Sequence, residues 1–425
     1  MLLKAAVRRI RNCGLGILFL FAITLNTAWF FRRRFHVAHH LPKPRPMALQ
    51  DALKDPVVIA VMTSPSIGAE QPTWNVSGCS WERQPIGCQV MGVAAYTHAD
   101  VLLYHASATP CPIGQPRSWP WQLRAIWSTE SSEYHPVLEK RACMDEYDVE
   151  VSYRTCSQVF ASSFDYSPQT LSTRLFLPPM PFEAKDNSVA AFLDEDCATL
   201  SKREELIREL AAKGLHIAAW GKCLSGMKGH HSQAVPDRSK LYRKYKFCIA
   251  FETSLTQDYV TEELWQALEA GCLPLYLGAP NVKDFLPAPE SIIDLADAET
   301  HKSIAHIVKK LAKNSTAYNA HLAWKRRPLS KLSNGFQKMV ASSQAAGGPS
   351  KECRLCQLAM VQRTATSVPA PYTHCLRNGS WLKAQRTHTS SWGPGTNALL
   401  KGLNHVQWPQ LGSNQWSAKH GLPPA

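Results

Sequence analysis

The segment YKFCIAFETSLTQDYVTEELWQALEAGCLPLYLG, residues 245–278, holds the side chains best suited to chemistry. An apolar run delivers the chain to Glu252, and the polar loop TSLTQD follows. Thr261, Glu262 and Glu263 then fall in the first turn of a predicted helix. Helix N-termini carry unpaired N–H groups and the positive end of the dipole, which suit a phosphate or a ribose. The carboxylates of Glu252 and Glu262 suit ribose or sugar hydroxyls. Ordinary capping uses the same residue types at the same place, so spacing alone leaves a nucleotide site and a plain helix start both open. Asp194, Glu195 and Asp196 have the DxD spacing by which some transferases hold a metal. So short an acidic triplet reads as a loop.

These groups need a frame. Strands are predicted over residues 57–62, 101–105, 189–193, 216–220, 246–251 and 273–277. Helices are predicted over 201–213, where Leu206, Ile207 and Leu210 recur at a helical period, over 260–270 before Gly271, and over 304–313. Strand alternating with helix implies a parallel doubly wound sheet with ligands at the carboxyl ends of its strands. A first globular region spans 56–180, the PPMPF run at 178–182 reads as a linker, and a second region spans 187–345. Residues 346–425 read as a cysteine-containing C-terminal segment. Periodic apolar pattern fades after Leu358, and the end of the segment is expected to be partly disordered.

The 425 residues are 45% hydrophobic and 19% charged, an ordinary balance for globular structure, and the length suggests two domains plus tails. The net charge of +14 suits an anionic partner. Zinc-finger spacing, a nucleic-acid signature and long Lys/Arg blocks are all missing, so nucleic acid is not the expected partner and a nucleotide diphosphate fits as well.

Residues 13–31, CGLGILFLFAITLNTAWFF, carry no charge and are long enough to span a bilayer. Basic residues flank the run on both sides, and no small-x-small cleavage site follows it. The expectation is an uncleaved signal anchor after a short cytosolic tail, with residues 32–55 as a stem. Sequons at Asn75, Asn314 and Asn378 agree with a luminal body, making a type II membrane protein. In that compartment the thirteen cysteines favour disulfides. Cys353 and Cys356 form a CxxC pair, but a zinc site needs a second pair and Cys375 is the one later cysteine. Cys248 and Cys272 lie in apolar strand context and are expected to be buried free thiols.

The segment resembles the donor-binding core of the α1,3-fucosyltransferase family, whose motif is close to YKFxxAFENSxxxDYVTEKLW followed by small–x–PxxxG. The matching residues here are Tyr245, Lys246, Phe247, Ala250, Phe251, Glu252, Ser254, Asp258, Tyr259, Val260, Thr261, Glu262, Leu264 and Trp265, then Pro274 and Gly278. GAPNVKDFLPAP, LAKNSTAYNAHLAWK and CRLC look most like plant-type core α1,3-fucosyltransferases. The resemblance is strong over residues 189–358, moderate over 79–166, and does not reach the anchor or the tail.

The resemblance implies a GT-B architecture: two Rossmann-like domains facing across a cleft, with the C-terminal one binding GDP-fucose. It implies an inverting transfer that needs one general base and no covalent intermediate. Glu130, in AIWSTESSEYHP, matches the family's catalytic carboxylate, with Glu133 as its neighbour. Arg203 matches the arginine that contacts the diphosphate. Donor contacts are implied for Lys246, Glu252, Thr253, Ser254, Tyr259, Thr261 and Glu262, and a substrate contact for Ser152, Tyr153 and Arg154. Related cysteines in the plant-type enzymes suggest Cys79 with Cys88 and Cys197 with Cys223. No metal is required in a GT-B site, which leaves Mn2+ at most a stimulatory role.

Three positions depart from the family. Glu263 stands where a lysine is usual, Thr253 where the motif has Asn, and Asp196 where another Asn is usual. A carboxylate beside a diphosphate is repulsive, and Lys202, Arg243 or Lys246 are the cations expected to compensate. The implied function is transfer of fucose from GDP-fucose to the 3-OH of a GlcNAc in N-glycans, at the Asn-linked core residue. The alternatives are an outer-antenna (Lewis-type) acceptor, or a Golgi pseudoenzyme with weakened donor binding. The implied surroundings are the Golgi membrane, with glycoproteins as acceptors.

Overall fold

Alternating strands and helices build two parallel sheets, as the apolar pattern predicts. The computed structural model describes residues 47–63, 76, 78–81, 84–164, 166, 170–194, 197–235, 237–344 and 351–365. All of them lie in one unit spanning Arg45–Ala425. The expected anchor at 13–31 and the sequons Asn75 and Asn378 lie outside the described residues. Among the described residues no helix is long and apolar enough to cross a membrane.

The N-terminal lobe holds β1 (Val57–Val61), β2 (Cys88–Met91), β3 (Val101–His105), β4 (Leu123–Ser128), β5 (Val149–Ser152) and β6 (Val159–Phe160), in the order β2-β1-β3-β4-β5-β6. The C-terminal lobe holds β7 (Asp186–Phe192), α1 (Arg203–Ala212), β8 (Ile217–Trp220), β9 (His230–His231), α2 (Arg238–Tyr242), β10 (Tyr245–Phe251), α3 (Glu262–Ala270), β11 (Leu273–Leu277), β12 (Ile293–Asp294), α4 (Ala298–Leu311), α5 (Ser315–Leu322) and α6 (Asn334–Gln344). Its sheet runs β9-β8-β7-β10-β11-β12, all parallel. This is the doubly wound dinucleotide-binding order, and its switch point falls between β7 and β10.

Burial explains why the central strand reads as unbroken apolar sequence. All seven residues of β10 are buried, as strands covered on both faces require. Phe247, Ile249 and Phe251 pack with Ile207 and Leu210 of α1 and Ile304 of α4. Cys248 and Ala250 turn the other way, onto Leu264, Trp265 and Leu268 of α3. Trp265 is fully enclosed, so truncating it to Ala would cost about 3–5 kcal/mol. Predicted helix 260–270 starts two residues late because Thr261 is its N-cap, accepting from Glu263 N, while Gly271 ends it at φ +70°.

The C-terminal segment completes the N-terminal lobe. Residues 351–364 form α7 (Lys351–Thr364), and this helix packs on the N-terminal sheet, with Leu355, Ala359 and Met360 against Val57, Ile59 and Val101. Arg363 is buried and bonds Asp100 at 2.9 and 2.7 Å and the carbonyls of Ala52, Asp55 and Pro56. The chain thus closes its first lobe with a late helix. The apolar period fades after Leu358 because the helix also buries polar groups, Gln362 and Arg363 among them.

The cysteine pairing changes with it. Cys79 bonds Cys353 and Cys88 bonds Cys356, so the expected Cys79–Cys88 pair is not formed. Cys79 and Cys88, the latter opening β2, pack with Cys353 and Cys356 of α7 in one core cluster. Cys197–Cys223 is formed as implied. Cys248 and Cys272, expected as free thiols, are joined: β10 and β11 are adjacent, and Cys272 lies just before β11. Cys111 bonds Cys143, and Cys156 is also disulfide-bonded.

Candidate active site

A cavity of about 660 Å³ lies between the lobes, at the carboxyl ends of β7 and β10. Thr129 and Glu130, just past β4, with Ala161, Ser162 and Ser163, just past β6, and Lys351, the first residue of α7, form its N-terminal wall. Asp194, Arg203, Arg238, Thr253, Tyr259, Thr261, Glu262 and Glu263 line the C-terminal side.

Glu130 is fixed from both ends. Its backbone oxygen accepts from Ser128 Oγ at 2.8 Å, and Ser128 Oγ meets His135 Nδ1 at 2.8 Å. Since the serine hydroxyl donates to Glu130, the network assigns the proton to His135 Nδ1. Burial lowers the pKa of His135, and burial together with His135 lowers that of His105 to about 4, so this loop is held by neutral rings. The Glu130 carboxylate accepts from the Tyr259 hydroxyl at 2.8 Å, across the lobes. Tyr259 also meets Thr253 Oγ1 at 3.0 Å and packs edge-on to Tyr153 at 5.2 Å. Burial and the Glu130 charge push the Tyr259 pKa up, so it serves as a neutral donor. Glu133 is exposed and does not line the cavity.

The loop carrying Tyr259 is braced separately. Asp258 takes φ +65°, and its carboxylate accepts from Thr155 N at 3.0 Å, Thr155 Oγ1 at 2.9 Å and Asn281 Nδ2 at 2.8 Å. A left-handed conformation is costly for most residues and tolerable for Asp with local hydrogen bonds. Two of these bonds again cross from the N-terminal lobe.

Glu252 is placed differently from the sequence expectation. It is fully buried behind the cavity and accepts from Thr261 N at 3.1 Å and Thr261 Oγ1 at 2.6 Å. Burial, with smaller contributions from Glu263 and Glu262, raises its pKa to about 8 against the Thr261 bonds. Glu252 therefore ties the end of β10 to the start of α3 rather than facing a ribose. Gly278 leaves it room, since a Cβ there would meet Glu252 Cγ and Tyr276 Oη at 2.3 Å.

Glu263, the departure that raised doubt, is 6% exposed. Oε1 accepts from Arg203 Nη1 at 3.1 Å, and Oε2 pairs with Arg238 Nη1. Arg203 also donates to Phe251 O at 3.3 Å. The carboxylate is enclosed by two guanidiniums. Arg238 was missed in the sequence. It is the first residue of α2, which follows β9, and the topology of a parallel sheet puts such helix starts at the carboxyl edge.

The other expected contacts divide. Thr253, Tyr259, Thr261 and Glu262 line the cavity with Arg203. Ser254 is buried and bonds Thr256 Oγ1 at 3.0 Å. Lys246 is at the far end of β10, bonded to Asn187 Oδ1 at 2.6 Å and over the Phe182 ring at 3.5 Å. It neither binds at the cavity nor compensates Glu263. Arg243 donates to Pro178 O, and Lys202 is exposed beside α1 without lining the cavity. Ser152 donates to Glu150, Tyr153 accepts from Ser132 N, and Arg154 is buried on Glu139 and Leu138 O. Of the three, Tyr153 braces the Glu130 loop, through Ser132. Asn314 is exposed and caps α5, accepting from Ala317 N at 3.0 Å. Among the described residues no cluster of His, Cys, Asp or Glu could hold a metal. Glu195 and Asp196 lie outside the described residues, and Asp194 accepts from Lys222 N at 3.0 Å.

The fold is a doubly wound α/β protein with a charged cavity at its switch point, the place where such sheets bind ligands. Residues 182–372 match glycosyltransferase family 10 (fucosyltransferase), C-terminal part. A protein of Arabidopsis thaliana named as fucosyltransferase-like is 28% identical over 239 residues, 56% of this chain and 43% of its own. An alpha-(1,3)-fucosyltransferase B of Drosophila melanogaster is 31% identical over 208 residues, 45% of this chain and 46% of its own. A GDP-fucose protein O-fucosyltransferase 3 of Xenopus laevis is 35% identical over 150 residues, 32% of this chain and 30% of its own. The chain spans less than half the length of these relatives. A solved α1,3-fucosyltransferase with GDP covers 78% of this chain and 96% of its own, with TM-score 0.46 and 12% identity.

Proposed function

We propose that this chain is a GDP-fucose-dependent fucosyltransferase acting by inversion, with the core GlcNAc of N-glycans as acceptor. The observation that carries the reading is Glu130: a carboxylate on one wall of the switch-point cavity, aimed by Tyr259, with Arg203 and Arg238 on the other wall. In the reaction, the acceptor hydroxyl gives its proton to Glu130 as its oxygen bonds the anomeric carbon. The bond from that carbon to the phosphate oxygen breaks, and GDP leaves with the electron pair. One base suffices for a single displacement. Arginines near the leaving group would stabilise its developing charge.

A second acceptor has support of its own. Several relatives are named GDP-fucose protein O-fucosyltransferase 3, in Xenopus laevis and Danio rerio among others. A protein hydroxyl needs the same base and the same donor, so the cavity chemistry is unchanged. An outer-antenna GlcNAc is the third candidate. The pseudoenzyme reading loses its main motive, because Glu263 is enclosed by two arginines. The disulfides and the apolar run at 13–31 support an anchored, luminal Golgi enzyme.

The test is one assay with three acceptors: a core N-glycopeptide, an antenna oligosaccharide and a folded protein domain bearing Ser and Thr. The proposal expects fucose on the core glycopeptide. Transfer to the folded domain alone would move the assignment to protein O-fucosylation. Transfer to none of the three would remove the enzymatic reading.

A further inference from the structure

We propose that Glu263 is a positioning residue that holds Arg203 and Arg238 as a paired clamp for the diphosphate of the donor, with Arg238 as a direct contact. This rests on the GDP-fucose reading above and names how the same cavity takes the charged part of the nucleotide.

The geometry carries it. Each oxygen of the Glu263 carboxylate is occupied by a different guanidinium, and the residue is almost fully enclosed. Its charge is therefore directed onto the arginines, and Arg203 also lies 4.0 Å from the buried Glu204 carboxylate. Charge-assisted bonds of this kind fix the direction of both forks. The Arg238 guanidinium also lies over the Phe192 ring at 5.1 Å, and its Nε has no hydrogen-bond partner among the described residues. An arginine immobilised beforehand loses less rotamer freedom on binding. Glu263 also caps the clamp onto the fold: its N–H donates to Thr261 Oγ1 at 3.3 Å, in the first turn of α3. Glu130, Asp194 and Glu262 lie outside this triad, and Lys351 is the other cation on the cavity wall.

The alternative is that Glu263 repels the diphosphate, and the two predict opposite effects. If Glu263 is a repulsive residue, Glu263→Lys strengthens GDP binding. If it is the centre of a clamp, Glu263→Lys places three cations together and weakens it.

The experiment uses the purified full-length chain in detergent and measures Kd for GDP and for guanosine, by calorimetry and ligand-observed NMR. The wild-type chain is expected to prefer GDP over guanosine at least tenfold. Arg238→Gln and Glu263→Gln should each erase most of that preference while leaving guanosine within twofold, which also reports that the fold is intact. Arg238→Lys should restore part of it, since the charge returns without the fork. Glu263→Lys should fall at least tenfold for GDP. The clamp is overturned by stronger GDP binding in Glu263→Lys, by an unchanged GDP-to-guanosine ratio in Arg238→Gln, or by equal loss of both ligands in Arg238→Gln and Glu263→Gln. A wild-type chain that binds neither ligand overturns the donor reading, and the clamp falls with it. If the wild type binds and the variant ratios stay level, the clamp alone is wrong.

Discussion

At the carboxyl end of the C-terminal sheet the buried cations are arginines bound to a carboxylate; at the amino end they are lysines bound to carbonyl oxygens. Arg203 and Arg238 share Glu263 and line the cavity. Lys325 donates to Leu175 O and Glu269 O, and Lys185 to Gly271 O and Tyr318 Oη. Burial lowers both lysines to about 7, helped by Arg243. Burial also works against the charge of Arg238, but Glu263 outweighs it and raises its pKa. One end therefore keeps its charge at neutral pH and the other has begun to give it up. A ligand diphosphate needs permanent charge, whereas a helix-to-sheet joint needs only donors. Arginine and lysine are distributed accordingly.

The comparison extends to pH, and it can be broken there. Glu252 sits behind the carboxyl end with its pKa raised to about 8 from 4.5. The folded state thus holds a proton that the unfolded state releases. The stability it contributes is complete below about 4.5 and is lost as pH rises to about 8. The loss is on the order of a few kcal/mol. Glu252→Gln keeps an acceptor for Thr261 and should remove that slope. Urea unfolding at pH 5 and pH 8.5 measures it, and an unchanged slope in the variant would show that Glu252 is not the group that holds the proton.

Lys325 should give the opposite slope. Its folded pKa is depressed from 10.5 to about 7, so stability is complete above about 10.5 and is lost as pH falls to about 7. Lys325→Met should flatten unfolding free energy between pH 7 and 10, a somewhat smaller change because Lys185 stays. If the variant keeps the wild-type slope, the amino end is not where the lysine charge is lost.

The smallest effect is expected at Lys246. Removing it by Lys246→Met should leave the Kd for GDP within twofold and cost roughly 1 kcal/mol from the lost bond to Asn187. A tenfold loss of GDP affinity would erase the distinction between the two ends.

Lys246 also shows what was legible in the sequence. The strand was readable, and so was its direction. Lys246 is its second residue and Thr253 lies beyond its end, so about 20 Å separates them at the rise of an extended chain. A motif match names both without distinguishing the ends. The helix start at Thr261 was within reach because its capping partner is local, whereas the pairing of Cys197 with Cys223, 26 residues apart, came from the resemblance alone. Glu263 reads as a liability when its neighbours are taken from sequence, because Arg203 is 60 residues away and Arg238 is 25. The return of α7 to the first lobe was hidden more deeply. It is tied by Cys79–Cys353 across 274 residues and by Arg363 to Asp100 across 263. A helix buried on several faces, with an arginine in its core, leaves no clean period to read.

Glu130 carries the central claim, and fucose transfer by Glu130→Gln tests it most directly. With GDP-fucose and a core N-glycopeptide, wild type should transfer fucose, and the variant should lose about 10²–10⁴-fold in rate with its thermal midpoint and GDP affinity unchanged. Transfer at the wild-type rate by Glu130→Gln would contradict the account.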